Sequence, residues 1–536
     1  MSGANSQIRT AEGRETSAWS APVRSDARYR WALLAIIALM LLIHLVTLRP
    51  GHSWHDDFAL YVLHARNIVQ GIPYENTGFF YNSLDPHHSP RVYPPGFPLL
   101  LAPVYALFGL NLIALKLVVV AAAVTSVAVL AAIARDVMTP RLALVVAALY
   151  AFQPFLVRFK NLLLPDMVFV LFALLSLLLL CRLYSDGPER RSRVPLALLT
   201  GICMYAAISL RTVGVTIIVA IALFHVLRLR PIRWPTVICV GTTLLLYAGQ
   251  LAWMPDAAGY VTQMSDVAVQ SGGGSLQATL IQYAARIFSP REVIRLAGAT
   301  DVLWVDQGEL WAMRVGGAQR VVVSVFVYAT GMLAVLGYCL RLRRATVLET
   351  FVPVYVLALL VWAFGGGARY LVPVMPLFIM YAVLGWDWLY RRKLPLLKGV
   401  LGSLAVAVAV LYTVNLTRVP TGFYANGVTG QESLELFAYI RSCTPADARF
   451  IMHRPRTLAL YTGRVAASGG RALDDAESLR QFLDATDTRY VVTQPGLRYE
   501  QLTRPSPEYF ENVFSNAQFG VYRYRTASSA PDLTGC

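Results

Sequence analysis

The chain has 536 residues, of which 56% are hydrophobic and only 15% charged, and its mean hydropathy is +0.52. A soluble domain carries about a quarter charged residues, so that class is excluded and a polytopic membrane protein is expected. The net charge of +16 does not indicate a nucleic-acid partner, because the arginines stand in short clusters between apolar runs, as topology signals do.

In chain order, residues 1–30 read as a disordered cytoplasmic tail without a cleavable signal. Crossing a bilayer takes about 20 helical residues. Apolar runs that meet or approach this length predict spans at 31–48, 112–134, 142–157, 167–183, 195–210, 212–227, 235–252, 321–340, 347–364, 370–390 and 396–416. Residues 97–108 are too short to cross easily and contain Pro98 and Pro103, so they read as a helix lying on or dipping into the membrane. With that helix left uncrossed, the clusters around Arg135, Arg190, Arg228, Arg341 and Arg391 all fall on the cytoplasmic side together with the N-terminus. The expected architecture is therefore mainly α: a transmembrane helical bundle over 31–416 of about eleven crossings plus interfacial helices.

This topology places the first loop (49–111), a long loop (254–319) and the tail (417–536) on the outer face. In the tail, helix-like patterns at 432–441, 474–483 and 507–514 alternate with β-rich runs at 449–452, 490–493 and 519–525, which predicts a small extracytoplasmic α/β domain. Cys443 and Cys536 share that domain, in a compartment that permits a disulfide between them. The long loop, with glycines 272–274, Trp304, Asp306 and Trp311, reads either as a lid or as an aromatic interfacial anchor.

The candidate site residues also lie on the outer face. Asp56 and Asp57 follow the first span, and adjacent carboxylates at a membrane surface need solvation, a counter-charge, a metal or a chemical use. Asp166 follows Pro165 at a span mouth, where it equally suits a helix cap. Arg369 follows three glycines, 365–367, whose backbone allows a tight turn with N–H groups open to a phosphate. Lys160 and Arg211 are further cations on the same side. His55, His87 and His88, crowded into the first loop with His52 and Asp85, would supply ligands for a divalent metal, although no zinc spacing is present. No cofactor is required by the sequence beyond that possible metal ion.

The order of Asp56-Asp57, Tyr61-x-x-x-Ala65-Arg66-Asn67, Gly71, Tyr93-Pro94-Pro95-Gly96-Phe97-Pro98, Leu107-Phe108-Gly109 and then Arg369-Tyr370-Leu371-x-Pro373-x-x-Pro376 resembles the GT-C membrane glycosyltransferases. It is similar in particular to bacterial protein O-mannosyltransferases and lipid A aminoarabinose transferases. The resemblance implies transfer of a sugar, with inversion, from a polyprenyl-phosphate donor to an acceptor on the outer face of a plasma (bacterial inner) membrane. The acceptor would be lipid A, another glycan or a protein hydroxyl. It further implies that one of the acidic pair is the general base; order in the pair favours Asp56 and the spacing to Tyr61 favours Asp57, and the expectation is Asp56 as base with Asp57 as its helper. Asp166 is then a second acid that orients the acceptor or holds a metal, and Arg369 with Tyr370 contacts the lipid phosphate. Tyr61 and Tyr93 belong to the matching motifs, and Arg91 stands near a basic position of some relatives. The chemistry agrees, since displacing a lipid phosphate with a hydroxyl needs a base and cations for the departing phosphate. A lipid-linked sugar flippase or small-molecule transporter is the alternative, but it predicts ionisable groups near mid-membrane.

Overall fold

The computed structural model describes residues 27–82, 92–184, 193–228, 231–254, 317–361, 368–392, 394–470 and 475–525. The bundle consists of α1 (Ala27–Val46), α2 (Asp57–Gln70), α3 (Gly96–Phe108), α4 (Leu112–Val137), α5 (Pro140–Ala151), α6 (Pro154–Phe159), α7 (Asp166–Tyr184), α8 (Arg193–Leu210), α9 (Thr216–Leu227), α10 (Trp234–Trp253), α11 (Gly317–Leu342), α12 (Val347–Val361), α13 (Met375–Tyr390) and α14 (Pro395–Thr417). Every run read as a span contains one of these helices. Among the described residues, α1, α4, α7, α8, α10 and α14 are each long and apolar enough to cross a membrane.

Two spans depart from simple helices, and prolines are the reason. The run at 142–157 is bent by 43° between α5 and α6, where Pro154 lacks the N–H that would continue the helix. At 370–390 the expected helix does not begin until Met375. Residues Ala368–Leu371 form a 3-10 turn instead; Pro373 has no N–H to carry an α-helix across this point, and Pro376 sits in the first turn of α13, where a proline is tolerated. That break leaves Arg369 and Tyr370 in the turn before α13. The short helix expected at 97–108 is α3, with Pro103 inside it.

The tail folds as the expected α/β unit, with α15 (Gln431–Cys443), β1 (Arg449–Ile451), α16 (Pro455–Thr462), β2 (Val465–Ala467), α17 (Ala476–Ala485), β3 (Tyr490–Thr493), α18 (Arg498–Thr503), β4 (Phe510–Ser515) and β5 (Gly520–Tyr524). The strand order is β2-β1-β3-β5-β4, parallel through β2, β1 and β3 and antiparallel from β3 to β4. Leu436, Phe437 and Leu458 pack on one face of the sheet, and Leu479, Leu483 and Tyr499 on the other. The helix expected at 507–514 is instead β4. Pairing with β5 sets Phe510 against Tyr524 and Glu511 against Arg523, and these cross-strand contacts outweigh local helical patterning. Cys443 is disulfide-bonded, whereas Cys536 lies outside the described residues.

The first loop joins the two parts. Ala466 donates its N–H to the Gly78 carbonyl at 2.8 Å and accepts from Phe80 at 3.1 Å, so residues 78–80 extend the edge of the sheet beside β2. Lys116 on α4 is fully buried and donates to the carbonyls of Arg49 (2.9 Å) and Gly51 (2.6 Å), pinning the root of that loop to the bundle.

Within the bundle, α11 and α13 approach closely enough that a Cβ at Gly337 would overlap the Tyr381 carbonyl, whereas one at Gly331 would meet nothing. We expect Gly337→Ala to destabilise the protein by about 1–3 kcal/mol through overpacking. Gly331→Ala should be neutral or raise stability by about 0.5–1 kcal/mol. Thermal unfolding of both variants in detergent separates the two effects.

Candidate active site

Asp56 and Asp57 straddle the start of α2 and point in different directions. The Asp56 side chain makes no cap bond to its own helix. Its Oδ1 accepts from the backbone N–H groups of Arg456 (2.9 Å) and Thr457 (3.2 Å) in the first turn of α16, where unpaired N–H groups and the helix dipole favour a carboxylate. Arg456 Nε lies 3.7 Å from Oδ2, and the Thr457 hydroxyl donates to the His55 carbonyl at 2.6 Å. Next to this contact, Trp54 packs into the core of the C-terminal domain and donates from Nε1 to Ser433 Oγ at 2.9 Å. Asp56 is buried and serves as the joint between loop and domain.

Asp57 faces the bundle and is 26% exposed; its Oδ2 lies 2.7 Å from Arg369 Nη1. Its Oδ1 accepts from the Tyr93 hydroxyl at 2.9 Å. Burial by itself would raise this carboxyl, but Arg369, helped by Arg456 and the Tyr93 hydroxyl, holds it well below the usual carboxylate range.

Helix α2 also supplies the platform for Tyr93. Tyr61 stacks on the Tyr93 ring with centroids 4.5 Å apart. One turn later, His64 Nε2 accepts from the Tyr93 N–H at 3.3 Å while Nδ1 lies 2.8 Å from the Tyr74 carbonyl. Burial pushes His64 down to about 3, which keeps the ring neutral and able to accept. At Gly96 the backbone approaches α8 so closely that a Cβ would meet the Ser209 carbonyl carbon at 2.6 Å. This packing sets the Tyr93–Gly96 segment beside the end of α8 and therefore beside Arg211.

A second ion pair adjoins the first. Asp166, the first residue of α7, is fully buried and lies 3.2 Å from Arg211 Nη1. Its oxygens accept no hydrogen bond among the described residues. The guanidinium groups of Arg211 and Arg369 lie 5.3 Å and 5.4 Å from the ring centre of Tyr370. The Tyr370 carbonyl accepts from the Tyr355 hydroxyl at 3.0 Å, which anchors the turn. The structure thus brings together Asp57, Tyr61, Tyr93, Asp166, Arg211, Arg369 and Tyr370, from five separate parts of the chain. It sets Lys160 elsewhere: that lysine is fully buried and donates to the Thr47 hydroxyl at 2.8 Å and to the Val157 carbonyl.

Arg91, His87, His88, Asp85, glycines 365–367 and residues 255–316 of the long loop lie outside the described residues. Among the described residues, no three His, Cys, Asp or Glu side chains form a metal-ligating group. The carboxylates that could take part already face cations: Asp57 faces Arg369, Asp166 faces Arg211, and Asp56 is held by Arg456 and its helix. His52 uses both ring nitrogens near the Ser53 and Leu162 carbonyls, and His55 Nδ1 contacts Ser53 Oγ. Of the residues read as metal ligands in the first loop, only His52 and His55 are among those described. The sequence reading missed Arg456, which is fully buried beside the acidic pair. No local signal marks it, since it is one of many arginines in a tail whose fold alone decides which of them faces the membrane bundle.

Residues 92–253, a segment that carries Tyr93, Asp166 and Arg211, match the family model described as dolichyl-phosphate-mannose-protein mannosyltransferase. Curated protein sequences return no match. Among solved structures, the chain is similar to the archaeal oligosaccharyltransferase AglB from Archaeoglobus fulgidus in complex with an inhibitory peptide and a dolichol-phosphate. That likeness has a TM-score of 0.57 and 13% identity, and covers 95% of this chain and 76% of the other. ArnT from Cupriavidus metallidurans in the apo state gives a TM-score of 0.56 at 13% identity, over 93% of this chain and 98% of ArnT. The form of ArnT bound to undecaprenyl phosphate gives 0.51 at 14% identity, over 94% of this chain and 100% of the other. At such identities the likeness is one of fold. The chain has the fold of the GT-C membrane glycosyltransferases, as its motifs implied.

Two outcomes follow for the acidic pair. Asp56→Ala leaves the buried Arg456 without its carboxylate and should cost about 3–5 kcal/mol, read as earlier thermal unfolding and faster proteolysis at the joint with the C-terminal domain. For Asp57 the folded carboxyl titrates below its unfolded value, so its contribution to stability is complete above the unfolded value and is lost as the pH falls toward the folded one. Melting temperature should therefore fall less on acidification below about pH 4 in Asp57→Asn than in the parent protein.

Proposed function

We propose that this chain is a membrane glycosyltransferase that moves a sugar from a polyprenyl-phosphate donor to a hydroxyl acceptor, at the membrane face bearing the C-terminal domain. The basic clusters in the loops support reading that face as the outer side of a plasma membrane, with the N-terminus in the cytoplasm. The observation that carries the reading is the Asp57–Arg369 pair. It is a partly exposed carboxylate on a guanidinium at the end of a GT-C bundle, with Arg211 and Asp166 behind it. The undecaprenyl phosphate and dolichol-phosphate bound by the structural neighbours support a lipid-phosphate carrier here.

The donor phosphate enters beside Tyr370 and pairs with Arg369 and Arg211, whose planar, permanently charged groups suit its oxygens. Arg369 thereby exchanges the Asp57 carboxylate for phosphate. A carboxylate released from its guanidinium is more basic, so donor binding itself readies the base. The acceptor oxygen attacks the anomeric carbon, its proton passes to Asp57, and the bond from that carbon to the phosphate oxygen breaks. Polyprenyl phosphate leaves with the bond electrons, stabilised by the two arginines. A single displacement inverts the anomeric carbon. Asp166, enclosed behind the exposed pair, keeps Arg211 in place. Asp57 takes the base role in this scheme because Asp56, first by order in the pair, is engaged with α16.

Purified protein incubated with a panel of polyprenyl-phosphate sugars should release polyprenyl phosphate and transfer or hydrolyse the sugar. Asp57→Asn should lower kcat by about 10²–10⁴. Arg369→Ala should lower it by about 10²–10³ and weaken donor binding as well. Activity within tenfold of the parent after Asp57→Asn would refute the assigned base. Passage of lipid-linked sugar across vesicles with no transfer would favour the transporter reading instead.

A further inference from the structure

Among the described residues, Arg456 is a buried cation beside the acidic pair that the mechanism leaves unused. It comes from the C-terminal domain, on the first turn of α16, and is fully buried. Its Nη1 donates to the Tyr93 hydroxyl at 3.4 Å, and that hydroxyl donates to Asp57 Oδ1 at 2.9 Å. Its guanidinium also lies over the Phe79 ring at 4.3 Å and the Tyr93 ring at 5.4 Å, so it is wedged between two aromatic faces. A guanidinium in such a slot cannot swing away, and Asp56 holds the backbone that carries it.

We infer that Arg456 is a positioning residue through which the C-terminal domain completes the active site, acting on Asp57 by way of the Tyr93 hydroxyl. The inference rests on the proposed role of Asp57. Donation from a guanidinium polarises the phenol, which strengthens its own hydrogen bond to the carboxylate. The groups facing Asp57 are Arg369 from the 3-10 turn, Arg456 from α16, Tyr93 from the segment before α3, and His55 on its own strand of chain. Once Arg369 turns to the donor phosphate, Arg456 with Tyr93 is the cation that still orients Asp57 toward the acceptor. A bundle whose C-terminal domain were displaced would lose that orientation while keeping its phosphate arginines. The domain thus acts on proton transfer more than on donor binding.

The test uses the full-length protein. Arg456→Gln should lower kcat about a hundredfold with the KM for donor changed less than threefold, and should move the acid limb of the kcat profile up by about one pH unit. Arg456→Lys should restore at least tenfold of the loss and most of the limb. Should Arg456→Gln fail to fold, Tyr93→Phe tests the same relay: it should lower kcat in the same way, and adding Arg456→Lys to it should cost little more. An unchanged kcat in Arg456→Gln, an Arg456→Lys no better than Gln, or additive losses with Tyr93→Phe would overturn the inference. A second arm needs no transferase activity, namely carbodiimide modification of Asp57 at pH 5 followed by mass spectrometry. Loss of the Arg456 charge should speed modification about tenfold, with Lys near the parent rate. If the parent protein transfers no sugar but this difference appears, the functional reading fails and the link between Arg456 and Asp57 stands. An equal modification rate overturns the link whatever the activity.

Discussion

Two neighbouring aspartates that bond in different directions hold this molecule together. Asp56 reaches up into the first turn of α16, and Asp57 reaches across to Arg369 in the turn that interrupts the span before α13. Neither carboxylate would be stable alone at a partly dehydrated membrane edge, because a buried ion without a partner costs several kcal/mol. Satisfying both therefore requires the C-terminal domain, the first loop and the bundle to occupy one arrangement. Trp54 and the 78–80 strand addition reinforce the same junction with apolar packing and backbone pairing.

The site inherits its character from that constraint. Its charges come in matched pairs: Asp57 with Arg369, Asp166 with Arg211, Asp56 with Arg456. Pairing lets ionised groups persist near the bilayer, and it leaves one pair open to rearrangement. Asp57 and Arg369 are each about a quarter exposed, at 26% and 27%, while Asp166 and Arg456 are fully enclosed. In the proposed mechanism it is therefore the exposed guanidinium of Arg369 that an incoming phosphate meets first. Tyr61 stacks on Tyr93 and packs edge-on against Phe97, which holds the Tyr93 hydroxyl on Asp57.

Much of this was legible in the chain itself. Apolar runs of spanning length, bounded by basic clusters, announced the bundle, and each carries a helix. The motifs around Asp57, Tyr93, Asp166 and Arg369 announced a site at one end, and those residues do converge there. Less legible were features that depend on partners far along the chain. Residues 507–514 look helical until β5 lies beside them, and Lys160 looks like a phosphate cation until its ammonium group is seen bound to Thr47 and Val157.

Sequence alone determined the class of the molecule: an α-helical membrane bundle with an α/β appendage and an acid–cation surface of GT-C type. It could do so because the bilayer imposes span length and because backbone breaks at proline and glycine are local properties. Only the tertiary structure decided which aspartate of the pair faces the arginines of the bundle, and that an arginine some four hundred residues away stands behind it. A carboxylate's chemistry depends on the charges within a few ångströms of it, and those neighbours are set by packing rather than by position along the chain.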